Sequence, residues 1–148
     1  MPSDNRIMAL DVGEVRIGVA LSDPEGIIAT PLTVIPAKDR DVALDNVVKL
    51  VNQNEVKQIV VGMPRSLSGD MGMQAQFTEV FIRQLSQRCS IPIETWDERF
   101  SSTSANYSMR QGKLKRKEQK DWRDAIAAAL ILQAYLERQR YKKLENKG

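Results

Sequence analysis

The chain contains no histidine and a single cysteine, Cys89, in 148 residues. The first absence rules out His-based triads, a His general base and His-rich zinc sites. Any hydrolytic chemistry must rest on carboxylates, lysine, hydroxyls or a metal held through oxygen. A lone cysteine cannot close an internal disulfide, and without histidine it lacks the usual partner of a catalytic thiol, so Cys89 reads as a packing residue at a helix end. No apolar run approaches the roughly 20 residues of a membrane span. The polar start Met1-Pro2-Ser3-Asp4-Asn5-Arg6 lacks the apolar segment of a signal peptide. A cytoplasmic protein with no membrane partner is expected. At 148 residues, 42% hydrophobic and 28% charged, the chain is expected to form one domain over 1–148, with Lys142 to Gly148 as a frayed tail.

The formal net charge of +3 conceals a segregation. Residues 1–109 hold 10 Lys/Arg against 14 Asp/Glu, whereas residues 110–148 hold 12 against 5. The basic charge is densest from Arg110 to Lys120, which includes Lys113, Lys115, Arg116 and Lys117. With a glycine and no apolar periodicity, this segment reads as an exposed loop between helices. A solvated loop is the ordinary meaning of such a run; an arm that contacts phosphates is the functional one.

The most informative stretch is Ile7-Met8-Ala9-Leu10-Asp11-Val12-Gly13, followed at once by Val15-Arg16-Ile17-Gly18-Val19-Ala20. Two apolar runs separated by an acid and a glycine read as two strands, with a carboxylate at the end of the first. Asp is disfavoured in a buried strand because desolvating an unpaired charge is costly, so Asp11 needs a partner such as a bound cation, unless it only starts an Asp-x-Gly turn.

Strands are expected near 6–12, 15–22 and 27–35, the first two as an antiparallel hairpin and the third continuing the meander. The period then changes. Val42, Leu44, Val47, Val48 and Val51 predict a helix from Asp41 to Asn54, and Gln58-Ile59-Val60-Val61-Gly62 a short buried strand. Phe77, Val80, Phe81 and Leu85 predict a helix over 74–88, and Ile91 to Asp97 the fifth strand. A short helix over 102–110 and a long one from Asp121 to Arg138 follow. The expected fold is α/β: a mixed five-stranded sheet, three antiparallel strands and then two parallel ones, flanked by helices.

In that layout the segments after strands 4 and 5 open at the same sheet end as Asp11, where open α/β sheets carry their sites. They contain Arg65 and the run Asp97-Glu98-Arg99. Adjacent acids point in different directions, so at most one of Asp97 and Glu98 faces a metal, while the other caps a helix or pairs with Arg99. On the last helix, alanines around Asp124 permit close approach to the sheet and would bring a carboxylate toward Asp11. Asp121, three residues earlier, shares nearly the same face. With the helix starting at Asp121, both acids fall in its first turn, where the helix dipole is a sufficient structural reason for them.

Four segments together resemble the YqgF/RuvX family of the ribonuclease H-like superfamily. They are Asp11-Val12-Gly13 with Arg16-Ile17-Gly18-Val19-Ala20; Val61-Gly62-Met63-Pro64 with Ser68-Gly69 and Gln74; Asp97-Glu98-Arg99-Phe100-Ser101-Ser102; and Asp124-Ala125 with Ala127-Ala128. The resemblance spans nearly the whole chain. It implies a ribonuclease H-like fold and a metal-dependent nuclease that matures the 5′ end of precursor 16S rRNA, some members being described as Holliday-junction resolvases. Carried over, Asp11, Glu98 and Asp124 form an acidic triad for Mg²⁺ or Mn²⁺, with Asp97 and Asp121 as substitutes. Arg123 stands where the family usually has an apolar residue, and Asp121 is an added acid, so the metal ligand on this helix is open between Asp121 and Asp124.

Phosphodiester hydrolysis with one or two such ions needs no histidine. Arg65, Arg99, Lys113, Lys115, Arg116 and Lys117 are candidates for flanking phosphates. The expected partners are nucleic acid, either precursor rRNA or branched DNA, and the ribosome, with the protein a monomer or a homodimer. A noncatalytic RNA- or ribosome-binding module is the competing class. Nucleotide binding of the actin-like type is disfavoured, because that fold needs two such domains and the chain has no Gly-x-x-x-x-Gly-Lys-Ser/Thr loop.

Overall fold

The computed structural model describes residues 6–64, 72–97 and 116–147. Its strands are β1 (Ile7–Val12), β2 (Arg16–Ser22), β3 (Ala29–Pro36), β4 (Gln58–Met63) and β5 (Ile93–Asp97). The described helices are α1 (Arg40–Gln53), α2 (Met73–Ser86) and α3 (Arg116–Lys147). The strands form one sheet in the order β3-β2-β1-β4-β5. β1 pairs antiparallel with β2, and β2 with β3; β1 pairs parallel with β4, and β4 with β5. The expected mixed five-stranded sheet is borne out.

β1 lies at the centre of the sheet and is apolar at nearly every position because both of its faces are covered. Side chains alternate between faces. Met8, Leu10, Val12, Ile17, Val19, Ile59 and Val61 belong to one core layer with Leu44, Val47 and Val51 of α1 and Phe81 and Leu85 of α2. Ala9, Ala20 and Val60 form the other with Ala128, Ala129, Ile131, Leu132, Tyr135 and Leu136 of α3. Each fully buried aliphatic side chain contributes about 1.5–3 kcal/mol relative to exposure. The alanines on both sides of the second layer keep α3 close to the sheet.

Local chemistry fixes the element ends. Asp39 caps α1, its carboxylate accepting from the Val42 amide at 3.2 Å. The β1–β2 hairpin closes with the Gly13 amide donating to the Arg16 carbonyl at 3.0 Å, and a side chain at Gly13 would press on that same carbonyl. The β2–β3 turn is tied by Asp23, whose carboxylate accepts from the Ile27 and Ile28 amides at 2.7 and 2.8 Å. Partial burial works to raise its pKa, but these amide hydrogen bonds together outweigh it and hold the carboxyl below its ordinary range. Cys89 follows α2, half-buried beside the first core layer, and burial raises its thiol pKa.

Helix α3 departs from expectation at both ends. It begins at Arg116, so residues 116–120 are helix and not loop, and it continues to Lys147, past the expected end at Arg138. These stretches are mostly charged and lack the apolar spacing that marks a packed helix. Lys, Glu, Gln and Arg are nonetheless good helix formers once an adjoining segment has nucleated the helix. The helix expected over 102–110 lies outside the described residues.

Candidate active site

Asp11 is the fifth residue of β1 and is half-buried. Its register partner on β2 is Gly18. Opposed residues of an antiparallel pair project to the same face, with Cβ positions about 4.5–5.5 Å apart. Asp11 and Gly18 are in phase with Ala9 and Ala20, which face α3. A Cβ built on Gly18 would collide with the Asp124 carbonyl and lie 2.8 Å from the Ala125 amide nitrogen. Helix α3 therefore sits in the notch that Gly18 leaves open, and Asp124 comes to the sheet beside Asp11. The alanines around Asp124 led to the expectation of a close approach between helix and sheet, and the backbones do approach closely here. What was not foreseen is that the sheet supplies the other half of the close approach, through a glycine.

Asp124 is held by Arg16: the Nε hydrogen is donated to Oδ2 at 2.9 Å across 108 residues of sequence. The pair is only partly covered, with the Arg16 side chain 55% exposed and Asp124 30%. On the opposite side of β1, the Gln74 side chain of α2 donates Nε2–H to the Val12 carbonyl at 3.1 Å, anchoring the strand end next to Asp11. Arg16, Gly18 and Gln74 all stand in the motif segments, yet the sequence reading gave none of them a role. The only signal was their place in those segments, because each acts through a partner remote in sequence.

The other candidate residues divide by position. Asp97 ends β5 in phase with Ile93, which packs on the layer of α1 and α2, whereas Glu94 and Trp96 contact Tyr135 of α3. Asp97 is thus on the opposite face of the sheet from Asp11 and Asp124. Glu98, Arg65, Arg99, Lys113 and Lys115 lie outside the described residues. Arg116, Lys117 and Asp121 are described only as positions on α3. Because α3 starts at Arg116, Asp124 lies about two turns inside the helix. The dipole effect fades within the first turn, so it no longer accounts for this acid.

Oxygen ligands from carboxylates suit a hard divalent cation such as Mg²⁺ or Mn²⁺. The Gly18 notch brings the backbone of Asp124 beside the strand that carries Asp11, so two carboxylates of the right chemistry stand on neighbouring elements, while among the described residues no group of three or more His, Cys, Asp or Glu comes together to hold an ion. A cavity of about 350 Å³ opens elsewhere, between Ile7, Lys57, Gln58, Tyr135, Arg140 and Lys143. It adjoins the starts of β1 and β4, whereas Asp11 is near the end of β1, and it takes no part in the site.

Comparison with known proteins agrees with this geometry. A family model described as RuvX, Holliday junction resolvase, matches residues 5–138. A relative from Roseiflexus sp. (strain RS-1), named "Putative pre-16S rRNA nuclease", is 43% identical over 135 residues, covering 91% of this chain and 96% of its own length. A relative of the same name from Syntrophomonas wolfei subsp. wolfei is 42% identical over 132 residues, covering 89% of this chain and 94% of its own. Among solved structures, T. thermophilus RuvC in complex with a Holliday junction substrate matches with a TM-score of 0.62 at 11% identity, over 91% of this chain and 96% of that one. The fowlpox virus Holliday junction resolvase matches at 0.55 and 10% identity, over 89% and 98%. The two structural likenesses bear out the ribonuclease H-like fold. With the family model spanning most of the chain and relatives above 40% identity along nearly their whole length, the chain belongs to the RuvX family.

Proposed function

We propose that this chain is a divalent-metal-dependent nuclease that hydrolyses phosphodiester bonds and matures the 5′ end of precursor 16S rRNA in the cytoplasm. The observation that carries the reading is the Gly18 notch, which brings the helix bearing Asp124 against the strand bearing Asp11. Family membership and the name shared by the relatives supply the reaction class and the substrate. Asp11 and Asp124 hold Mg²⁺ or Mn²⁺ together with Glu98. The position of Asp97, on the face of the sheet opposite to Asp11, supports Glu98 over Asp97. Asp124 is preferred to Asp121 because its backbone is the part of α3 seated at Gly18.

The bound ion would supply an activated water and charge stabilisation at the phosphate and the departing oxygen. The chain's own residues position the reaction. Asp11 and Asp124 stand on a central strand and a packed helix, so their separation is fixed by the sheet and not by loop motion. Asp11, on the central strand, would be the most firmly placed of the carboxylates that hold the metal. Arg65 and Arg99 would bind phosphates on either side of the scissile bond, and Lys113, Lys115, Arg116 and Lys117 would follow the strand further out.

The test is cleavage of an rRNA precursor fragment and a four-way DNA junction, side by side, by wild type and Asp11→Asn, with Mg²⁺, Mn²⁺ or EDTA. Metal-dependent cutting of the rRNA fragment that is lost in Asp11→Asn, with circular dichroism unchanged, is the expected result. The family description favours a second reading, resolution of branched DNA, which predicts that the junction is cut and that light scattering finds a two-fold dimer bearing two sites. RNA binding without cleavage of either substrate would replace both readings with a noncatalytic, ribosome-associated module.

A further inference from the structure

We propose that Arg16 alternates between two partners: Asp124, as in this structure, and a substrate phosphate once Asp124 turns to a divalent cation. This rests on the reading of Asp124 as a metal ligand. The pair is built for exchange. It is made through Nε alone at 2.9 Å, and both side chains reach solvent, with Arg16 more than half exposed. Ion pairs this open are weak and readily traded. Arg16 opens β2 two residues before Gly18, so its guanidinium lies at the edge of the acidic site, on the chain segment that frames Asp11. A dication and a guanidinium sharing one carboxylate repel each other, and the dication has the stronger hold on it. Arg16 then carries an unpaired positive charge beside the site where a phosphate must arrive, and its planar donor fork matches phosphate oxygens. In the structure the same side chain holds the Asp124 carboxylate at the edge of the site.

Metal uptake and substrate binding are therefore coupled through one side chain. The experiment uses the full chain as wild type, Arg16→Gln, Arg16→Lys and Asp124→Asn. Mn²⁺ affinity is measured by calorimetric titration. RNA affinity is measured by fluorescence anisotropy in EDTA and in Ca²⁺, an oxygen-seeking cation used here in place of Mg²⁺ or Mn²⁺ for the binding readout. Arg16→Gln is expected to bind Mn²⁺ about three- to tenfold more tightly than wild type, since it removes both a competitor and a like charge. Arg16→Lys keeps the charge and stays near wild type, and Asp124→Asn loses most of the affinity. Ca²⁺ should raise RNA affinity in wild type, and this gain should be at least about threefold smaller in Arg16→Gln, the size of one exposed charge contact to phosphate. Equal or weaker Mn²⁺ binding by Arg16→Gln, or an unchanged Ca²⁺ gain, overturns the exchange while leaving the metal-ligand reading intact. Failure of wild type itself to take up Mn²⁺ overturns both. Should Gln disturb the hairpin, Arg16→Ala carries the same two titrations.

Discussion

Gly18 has no side chain, and the backbone of Asp124 occupies the space that one would need. Even a methyl group there meets rigid helix backbone, so α3 must lift away or β2 must shift. Gly18→Ala is expected to cost about 1–3 kcal/mol of stability, as overpacking does in a tight interior, and to reduce metal-dependent cleavage more than tenfold by moving Asp124 away from Asp11. Urea denaturation followed by cleavage under folded conditions separates the two effects. Wild-type stability with wild-type cleavage would mean that the close approach is dispensable. The sequence pointed to half of this arrangement, because alanines flanking an acid on a helix announce a close contact. The other half was not legible, since a glycine in a strand is equally consistent with a bulge, a bend or a close neighbour. The Arg16–Asp124 pair was likewise invisible: its partners are 108 residues apart and neither belongs to a periodic pattern.

At the level of elements, the five strands and the two helices α1 and α2 were readable because alternation and helical spacing are strong signals in buried segments, whereas the place of β4 beside β1 was not. The ends of α3 were not, since exposed charged helix and exposed charged loop share a composition. The middle of α3 is fixed by Tyr135, which is buried under the sheet. It receives a hydrogen bond from Gln58 Nε2 at 2.7 Å and donates to Glu94 Oε2 at 2.8 Å, linking α3 to β4 and β5. Burial first, and the hydrogen bond to Glu94 second, push its pKa from 10.0 up to about 12. The folded state thus keeps the phenol proton more firmly than the unfolded chain does. The resulting stabilisation is complete below the unfolded value of 10.0 and disappears as pH rises through about 12. Tyr135→Phe should lose about 1–2 kcal/mol near neutrality, the usual cost of a broken buried hydrogen-bond pair. The gap between variant and wild type should then narrow as pH rises from 10.0 to about 12, as the tyrosine's contribution fades. A gap that is constant across those conditions would show that the hydroxyl does not couple folding to its proton.

Across the whole molecule, charge is divided by task. The acids of the candidate site reach it from β1 and α3, while residues 110–148 carry 12 Lys/Arg against 5 Asp/Glu. That excess outnumbers the acids of its own segment, and under the proposed function its partner is a polyanion. Electrostatic attachment to RNA releases counterions, so affinity falls with salt at a logarithmic slope of about 0.7 per phosphate neutralised on a single strand. Replacing Lys113, Lys115, Arg116 and Lys117 together by alanine should flatten that slope by up to about 3 if all four meet phosphates. Affinity near physiological salt would drop by one to two orders of magnitude, roughly what losing several exposed charge contacts costs. Cleavage at saturating RNA should stay close to wild type, because the proposed function gives these side chains the strand further out and not the scissile phosphate. Anisotropy titrations over a range of KCl concentrations, paired with single-turnover cleavage, read both quantities. An unaltered salt slope would mean that the basic run is simply solvated, and that cationic side chains elsewhere in the chain carry the attraction to RNA.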